Sequence, residues 1–200
     1  MQYMIMPRLT FFMSGLFGMI IKETEIAFKK NICRRLKDMI QAKIGSTKKF
    51  MQTLLKTGVF ECFLLLEGKV ITSCSYTLDG RLQEAFYTKE EWEDEKLHPY
   101  EYVKWADMKE LVFQMIKGTH VPVYMKFSLM LCPDVARQWG LPLQEQLIKG
   151  YVVNIRYENG KILCVTGASY SGFSMDKEPE NKWDHCFELY LQKNEIEYEK

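Results

Sequence analysis

Tyr151-Val152-Val153-Asn154-Ile155-Arg156-Tyr157-Glu158-Asn159-Gly160-Lys161-Ile162-Leu163 carries more architectural information than any other part of the chain. Apolar and polar residues alternate from 151 to 157, the period of a strand with one buried face, so Val153, Ile155 and Tyr157 point one way and Asn154 and Arg156 the other. Asn159-Gly160 is a hairpin turn signal, and it leads into a second strand over 162–169. Upstream, Met125, Phe127, Leu129 and Leu131 alternate in a strand over 121–131, with Pro122 at its start where a missing donor costs least. A helix follows Pro133 and breaks near Gly140-Leu141-Pro142.

The same order occurs earlier in the chain. Ile40-Gln41-Ala42-Lys43-Ile44 alternates, and a helix over 46–57 follows, with Ser46 as cap and Phe50, Met51, Leu54 and Leu55 on its apolar stripe. Two strands, 60–66 and 70–78, are expected to join at Glu67-Gly68-Lys69, and Asp79-Gly80 to turn into a third over 82–87. This internal repeat predicts two tandem β-α-β-β-β units, about 39–87 and 121–175, within an α+β domain of antiparallel sheets. Between them Met108, Leu111, Val112, Met115 and Ile116 fit the helical template, giving an inserted helix over 107–118 capped by Asp107 with Glu110. A further short strand is expected over 172–175. Trp183, Phe187, Tyr190 and Leu191 predict a closing helix over 181–193.

The 200 residues, 47% hydrophobic and 14% aromatic, suffice for one well-packed domain. A net charge of +1 argues against coating nucleic acid or anionic lipid by bulk electrostatics. Cysteines occur without a C-x-x-C pair, so buried reduced thiols are expected, and no metal or cofactor. The apolar run 9–21 is interrupted by Ser14, Gly15 and Gly18 and is short for a span of about 20 residues. A second expectation covers this region: translation starts at Met39, the preceding 1–38 being a non-core extension in which Arg34-Arg35 reflects a purine-rich ribosome-binding site. A membrane is a partner only if 1–38 is genuine.

Two tandem β-α-β-β-β units resemble the internal plan of a sliding-clamp domain, which implies helices gathered on one face of the sheet. The inserted helix and the broken second helix depart from that plan. Residue by residue, Phe60-Glu61-Cys62-Phe63-Leu64, Leu78-Asp79-Gly80, Phe86-Tyr87, Ile116-Lys117-Gly118, Asn154-Ile155-Arg156-Tyr157, Val165-Thr166-Gly167 and Trp183-Asp184 resemble an uncharacterised family of small proteins from anaerobic Gram-positive bacteria, a domain of unknown function, over 39–200. That resemblance brings no activity, cofactor or partner with it.

No catalytic constellation is legible. Gly167-Ala168-Ser169-Tyr170-Ser171 approaches a nucleophile elbow but lacks the second glycine and the helix that must follow. Three polar groupings remain. Lys117, Lys126, Asn154, Arg156, Thr166 and Lys177 are candidate ligands for an anion, against the reading of a solvated sheet face. Lys48, Lys49 and Lys56 on the first helix are a candidate nucleic-acid surface, against simple solubility. Trp92, Tyr100, Tyr102 and Trp105, beside an acidic segment, are a candidate protein-binding patch, against a role in covering the sheet edge. The expected function is a cytoplasmic, non-enzymatic binding or scaffold module with a clamp-like fold, its partner a protein, a second copy or nucleic acid. The alternative is a small-anion binder or enzyme with its site around Lys126 and Arg156.

Overall fold

Asn159 and Gly160 have φ of 51° and 76°, the left-handed pair that a type I′ turn demands. They fold β5 (Ile148–Glu158) back onto β6 (Lys161–Tyr170) with Tyr157 opposite Ile162 and Ile155 opposite Cys164. This hairpin is the middle of the computed structural model, which describes residues 40–94, 97, 99–143, 147–174 and 176–200. The expectations for 1–38, and for Met175 at the end of a last strand, lie outside the described residues.

In chain order the elements are β1 (Gln41–Ile44), α1 (Thr47–Lys56), β2 (Phe63–Ile71), β3 (Ser75–Asp79), α2 (Lys89–Glu93), α3 (Trp105–Ile116), β4 (Tyr124–Leu131), α4 (Pro133–Gln138), β5, β6, α5 (Glu178–Lys193) and β7 (Tyr198–Glu199). The fold is α+β. The seven strands of the described residues form one sheet in the order β3-β2-β4-β5-β6-β1-β7, and every neighbouring pair is antiparallel.

Alternation decides which face is buried. Phe63, Leu65 and Val70 of β2, Met125, Phe127, Leu129 and Leu131 of β4, Tyr151, Val153 and Ile155 of β5, and Ile162 and Cys164 of β6 join one core cluster. Phe50 and Leu54 of α1, Trp105 and Val112 of α3, Ala136 of α4, and Trp183, Phe187 and Leu191 of α5 close over them. The four longer helices therefore cover one face, and the other carries the intervening polar residues. Ring contacts knit the layers: Trp105 lies 5.2 Å from Phe127, and Trp183 lies 5.8 Å from Tyr151 and 6.5 Å from Phe63.

Several sequence expectations need correction. Glu67-Gly68-Lys69 is no turn, because β2 runs straight through it and the reversal comes at Thr72–Cys74, where the Thr72 N–H donates to the Cys74 carbonyl at 2.8 Å. Gly68 relieves a tight fit within the strand, since a Cβ there would stand 3.1 Å from both Leu78 and Phe127. A register shift between Leu65 and Glu67 changes the phase of the alternation and disguises the strand's continuity. Residues 82–87 form a 3-10 turn (Glu84–Phe86) and not a third strand, so the first strand–helix–hairpin group is one strand short. Residues 172–174 lie outside any strand. The inserted helix begins at Trp105 without a side-chain cap, so Asp107 and Glu110 do not form one.

Candidate functional site

Past β3 the chain makes a close pass against β2. The Gly80 N–H donates to the Leu66 carbonyl at 3.0 Å, and a Cβ on Gly80 would stand 1.8 Å from the Leu65 carbonyl oxygen, so only glycine fits. The Asp79 carboxylate accepts the Arg81 N–H at 3.0 Å and fixes the turn. The returning segment is pinned by Val103 N–H to the Gly80 carbonyl at 2.9 Å, Leu82 N–H to the Glu101 carbonyl at 3.0 Å and Leu65 N–H to the Val103 carbonyl at 2.9 Å. Between these arms Thr88 starts α2 with a full capping box, exchanging bonds with Glu91.

That framework holds an aromatic groove. One part, about 200 Å³, is lined by Tyr87, Tyr100, Tyr102, Leu82 and Pro99 among others. Its neighbour, about 560 Å³, shares Leu82, Pro99 and Tyr100 and adds Trp92, Arg81 and Glu101. Tyr87 lies 5.7 Å from Trp92 and 5.1 Å from Phe86, and Phe86 and Leu97 are 83% and 57% exposed nearby in sequence. The Arg81 guanidinium sits 5.9 Å from the centre of the Tyr102 ring and the Lys104 ammonium 5.8 Å from that of Tyr100, so both rings already present cation-binding faces. The Tyr100 hydroxyl donates to Asp134 of α4 at 2.7 Å, and Asp134 also receives Arg137 at 2.7 Å. Burial, then the Asp134 carboxylate, pushes the Tyr100 phenol well up, keeping it a donor.

Three of the four aromatic candidates, Trp92, Tyr100 and Tyr102, thus share this groove. Trp105 does not. It is fully buried, its indole N–H donating to the Leu54 carbonyl at 2.9 Å, and it serves the core.

The anion candidates divide by face. Lys126 and Arg156 are direct cross-strand partners on the helix-free face, as are Ser128 and Asn154. Glu67 accepts Lys126 at 2.6 Å. The Ser128 Oγ lies 3.1 Å from Glu67 and 2.8 Å from Asn154, and with one hydroxyl proton it donates to one of them at a time. Hydrogen bonds from Lys126 and then Ser128 hold the Glu67 carboxyl below its ordinary range. Lys69 stands directly opposite Lys126, completing a cationic row of Lys69, Lys126 and Arg156. Glu67 and, at 3.9 Å, Glu158 offset that row. Thr166 faces the other way, into the core, where it donates to Asp184 at 2.5 Å. Lys117 is at the C-terminal end of α3 and Lys177 at the start of α5, so neither belongs to this row.

On α1, the Lys49 ammonium donates to the Glu195 carbonyl at 3.1 Å and Lys56 lies 4.5 Å from the centre of the Phe113 ring, while Lys48 is exposed. Among the described residues no group of three or more His, Cys, Asp or Glu side chains is placed to hold a metal ion, and no helix is long and apolar enough to cross a membrane.

Sequence reasoning missed three contributors: Tyr87, Asp134 and Asp184. Tyr87 was hidden in an expected strand end. Asp184 left a readable signal, since it occupies an i, i+3, i+7 place with Phe187 and Leu191, a polar residue on an apolar stripe.

The chain belongs to a family of unknown function, DUF5721, whose profile matches residues 53–199. No curated protein and no solved structure matches it.

Proposed function

We propose that this protein is a non-enzymatic binding module, and that its site is the aromatic groove of Tyr87, Trp92, Tyr100 and Tyr102. The occupant is an extended, basic segment of a protein partner. The observation that carries this reading is the confluence of two ring-lined hollows between fixed backbone arms, with exposed Phe86 and Leu97 beside them in sequence. Large rigid aromatics give contact area at little entropic cost and are common anchors of protein recognition. Aromatic-lined grooves also suit proline-containing extended chains, whose ordering cost is low.

Charge selects the partner's sign. The whole chain is nearly neutral at +1, yet over 81–104, the segment that carries the groove, Asp and Glu outnumber Lys and Arg seven to four. A basic segment is drawn to such a patch, where its arginines compete with Arg81 and Lys104 for the faces of Tyr102 and Tyr100.

The order strand, helix, hairpin occurs twice, as β1-α1-β2-β3 and β4-α4-β5-β6, which supports an origin by duplication of one unit. The shared helical face fits the clamp-like plan expected of such units, while among the described residues neither β3 nor β6 is followed by the further strand that plan requires. A cytoplasmic site of action and residues 39–200 as the folded unit complete the proposal.

The test is a random dodecapeptide display selection on the full chain, run in parallel on Trp92→Ala. Enrichment of peptides rich in Arg or Lys with Pro or aromatic residues, lost on Trp92→Ala, is expected. No enrichment, or equal enrichment on both proteins, overturns the reading.

A further inference from the structure

The two edges of the sheet are finished differently. β7 is only two residues long and ends in charge: Glu199 pairs with Lys43 at 2.9 Å and Lys200 with Glu188 at 2.5 Å. Short, charged edges are how sheets avoid pairing with other chains. β3, Ser75-Tyr76-Thr77-Leu78-Asp79, is five residues long, carries neither proline nor lysine, and among the described residues has β2 as its one neighbour in the sheet.

The hydrogen-bond pattern identifies which groups of β3 face outward. Thr72 bonds Cys74 and Gly80 bonds Leu66 at the two ends of the β2–β3 ladder. Bonded and non-bonded pairs alternate in an antiparallel ladder, so between those ends the bonded pairs are Val70 with Tyr76 and Gly68 with Leu78. Ser75, Thr77 and Asp79 therefore turn their N–H and C=O groups away from β2, toward an edge that no other described strand pairs with. Their side chains lie on the helix-free face, while Tyr76 and Leu78 pack half-buried against the core.

This edge leads into the aromatic groove. Gly80 still bonds β2, and Arg81 and Leu82, which follow it, line the groove. A chain laid along β3 and continued by two or three residues, at about 3.3 Å each, arrives beside Arg81, Tyr100 and Trp92.

We infer that the partner segment binds by strand addition to β3, pairing its backbone with Ser75, Thr77 and Asp79 and delivering its basic, proline-containing end into the groove. The inference rests on the groove reading and goes further, because it specifies the bound conformation: β on one half, free of proline, and extended without ladder bonds on the other. Backbone bonds supply affinity that depends little on sequence, and the groove supplies selectivity. The groove's acidic rim favours the basic end there and not along β3, whose helix-free face carries Ser75, Thr77 and a single charge, Asp79.

The probe is the dodecapeptide most enriched in the selection described above, titrated into the full chain. Single N-methylation along its β half is expected to weaken binding about tenfold at alternate positions and little at those between. Thr77→Pro removes an outward N–H that β2 does not use; it should leave folding cooperative and weaken the full dodecapeptide about tenfold, while its basic half alone binds as to wild type. Slowed hydrogen exchange at the Ser75, Thr77 and Asp79 amides on peptide addition completes the expected result. If N-methylation has no periodic effect and the basic half binds as tightly as the whole, strand addition is overturned and the groove reading stands. If those amides are already protected without peptide, the edge is covered by the chain itself and strand addition is again overturned. If no dodecapeptide is enriched, the groove reading has failed and takes this inference with it.

Discussion

Thr166 of β6 donates its hydroxyl to Asp184 of α5 at 2.5 Å, and the same carboxylate accepts the backbone N–H of Ile40 at the entrance to β1. Asp184 thus ties the closing helix to the two strands beneath it. Burial raises its pKa to about 6 from an ordinary 3.8, with Glu180 and Glu188 adding to the rise, and the hydrogen bonds only partly oppose it. Lys200 is held by Glu188 at 2.5 Å.

A pH dependence follows. The folded state holds this proton more tightly than the unfolded chain does, so the contribution is fully present below about pH 4 and is lost as pH rises through 6. The carboxylate form then costs on the order of 1–2 kcal/mol once solvent screening is allowed for. Asp184→Asn keeps an acceptor oxygen for Thr166 and Ile40 without the charge. Urea unfolding should show the variant more stable than wild type at pH 7.5 and equal to it near pH 4. A loss of stability at both values would mean that the carboxylate is favourable where it stands.

Trp105 closes the end of α1 as well as the core. The Leu54 carbonyl lies in the last turn of that helix, where carbonyls lack intrahelical partners, and the indole N–H fills one such place at 2.9 Å. Trp105→Phe keeps most of the packing and leaves that carbonyl unmet, costing about 1–3 kcal/mol. Trp105→Ala adds a cavity beside Phe127 and should cost about 3–5 kcal/mol. Denaturant midpoints measured together rank the three proteins.

Two glycines should respond very differently to alanine. At Gly80 the new Cβ meets the Leu65 carbonyl at 1.8 Å, and backbone must move; a loss of about 2–4 kcal/mol is expected, with disruption of the groove's arms. At Gly68 the obstacles are Leu78 and Phe127 side chains at 3.1 Å, which yield by small rotations, and about 1 kcal/mol is expected. Thermal unfolding of both variants checks the order.

The Glu67–Lys126 pair is close at 2.6 Å but exposed, and solvent screens it. Lys126→Ala should change stability by no more than about 0.5–1 kcal/mol, less at 1 M salt. A larger, salt-insensitive loss would show that the row across β2, β4 and β5 is a cooperative network.

Alternation carried the sheet's centre. The β5–β6 hairpin, β4 and the apolar stripes of α1, α3 and α5 were legible because their periods are long and uninterrupted. The same alternation put Lys126, Asn154 and Arg156 on one face and, followed through Ile162 and Cys164, it puts Thr166 on the opposite one. The first hairpin was misread because Gly68 resembles a turn residue, while its place is local: a Cβ there would press on the Leu78 and Phe127 side chains at 3.1 Å. The bulge at Leu65–Glu67 then shifted the phase. Trp92, Tyr100 and Tyr102 were readable as a group from their density beside acidic residues. Trp105 could not be separated from them, since one residue's burial at a helix start depends on which chain segment crosses it, here the end of α1. Strand order is likewise a tertiary fact: β1 joins β6, far away in sequence, and no local pattern announces it.

The central claim is the aromatic groove as a binding site, and nitrogen-15 chemical-shift mapping of the full chain with the most enriched dodecapeptide tests it most directly. Saturable shifts at Arg81, Leu82, Tyr87, Trp92, Tyr100 and Tyr102, abolished in Trp92→Ala while its unfolding free energy stays within about 0.5 kcal/mol of wild type, are the predicted result. Shifts centred instead on Lys126 and Arg156, or on the Lys48 and Lys56 side of α1, would contradict it.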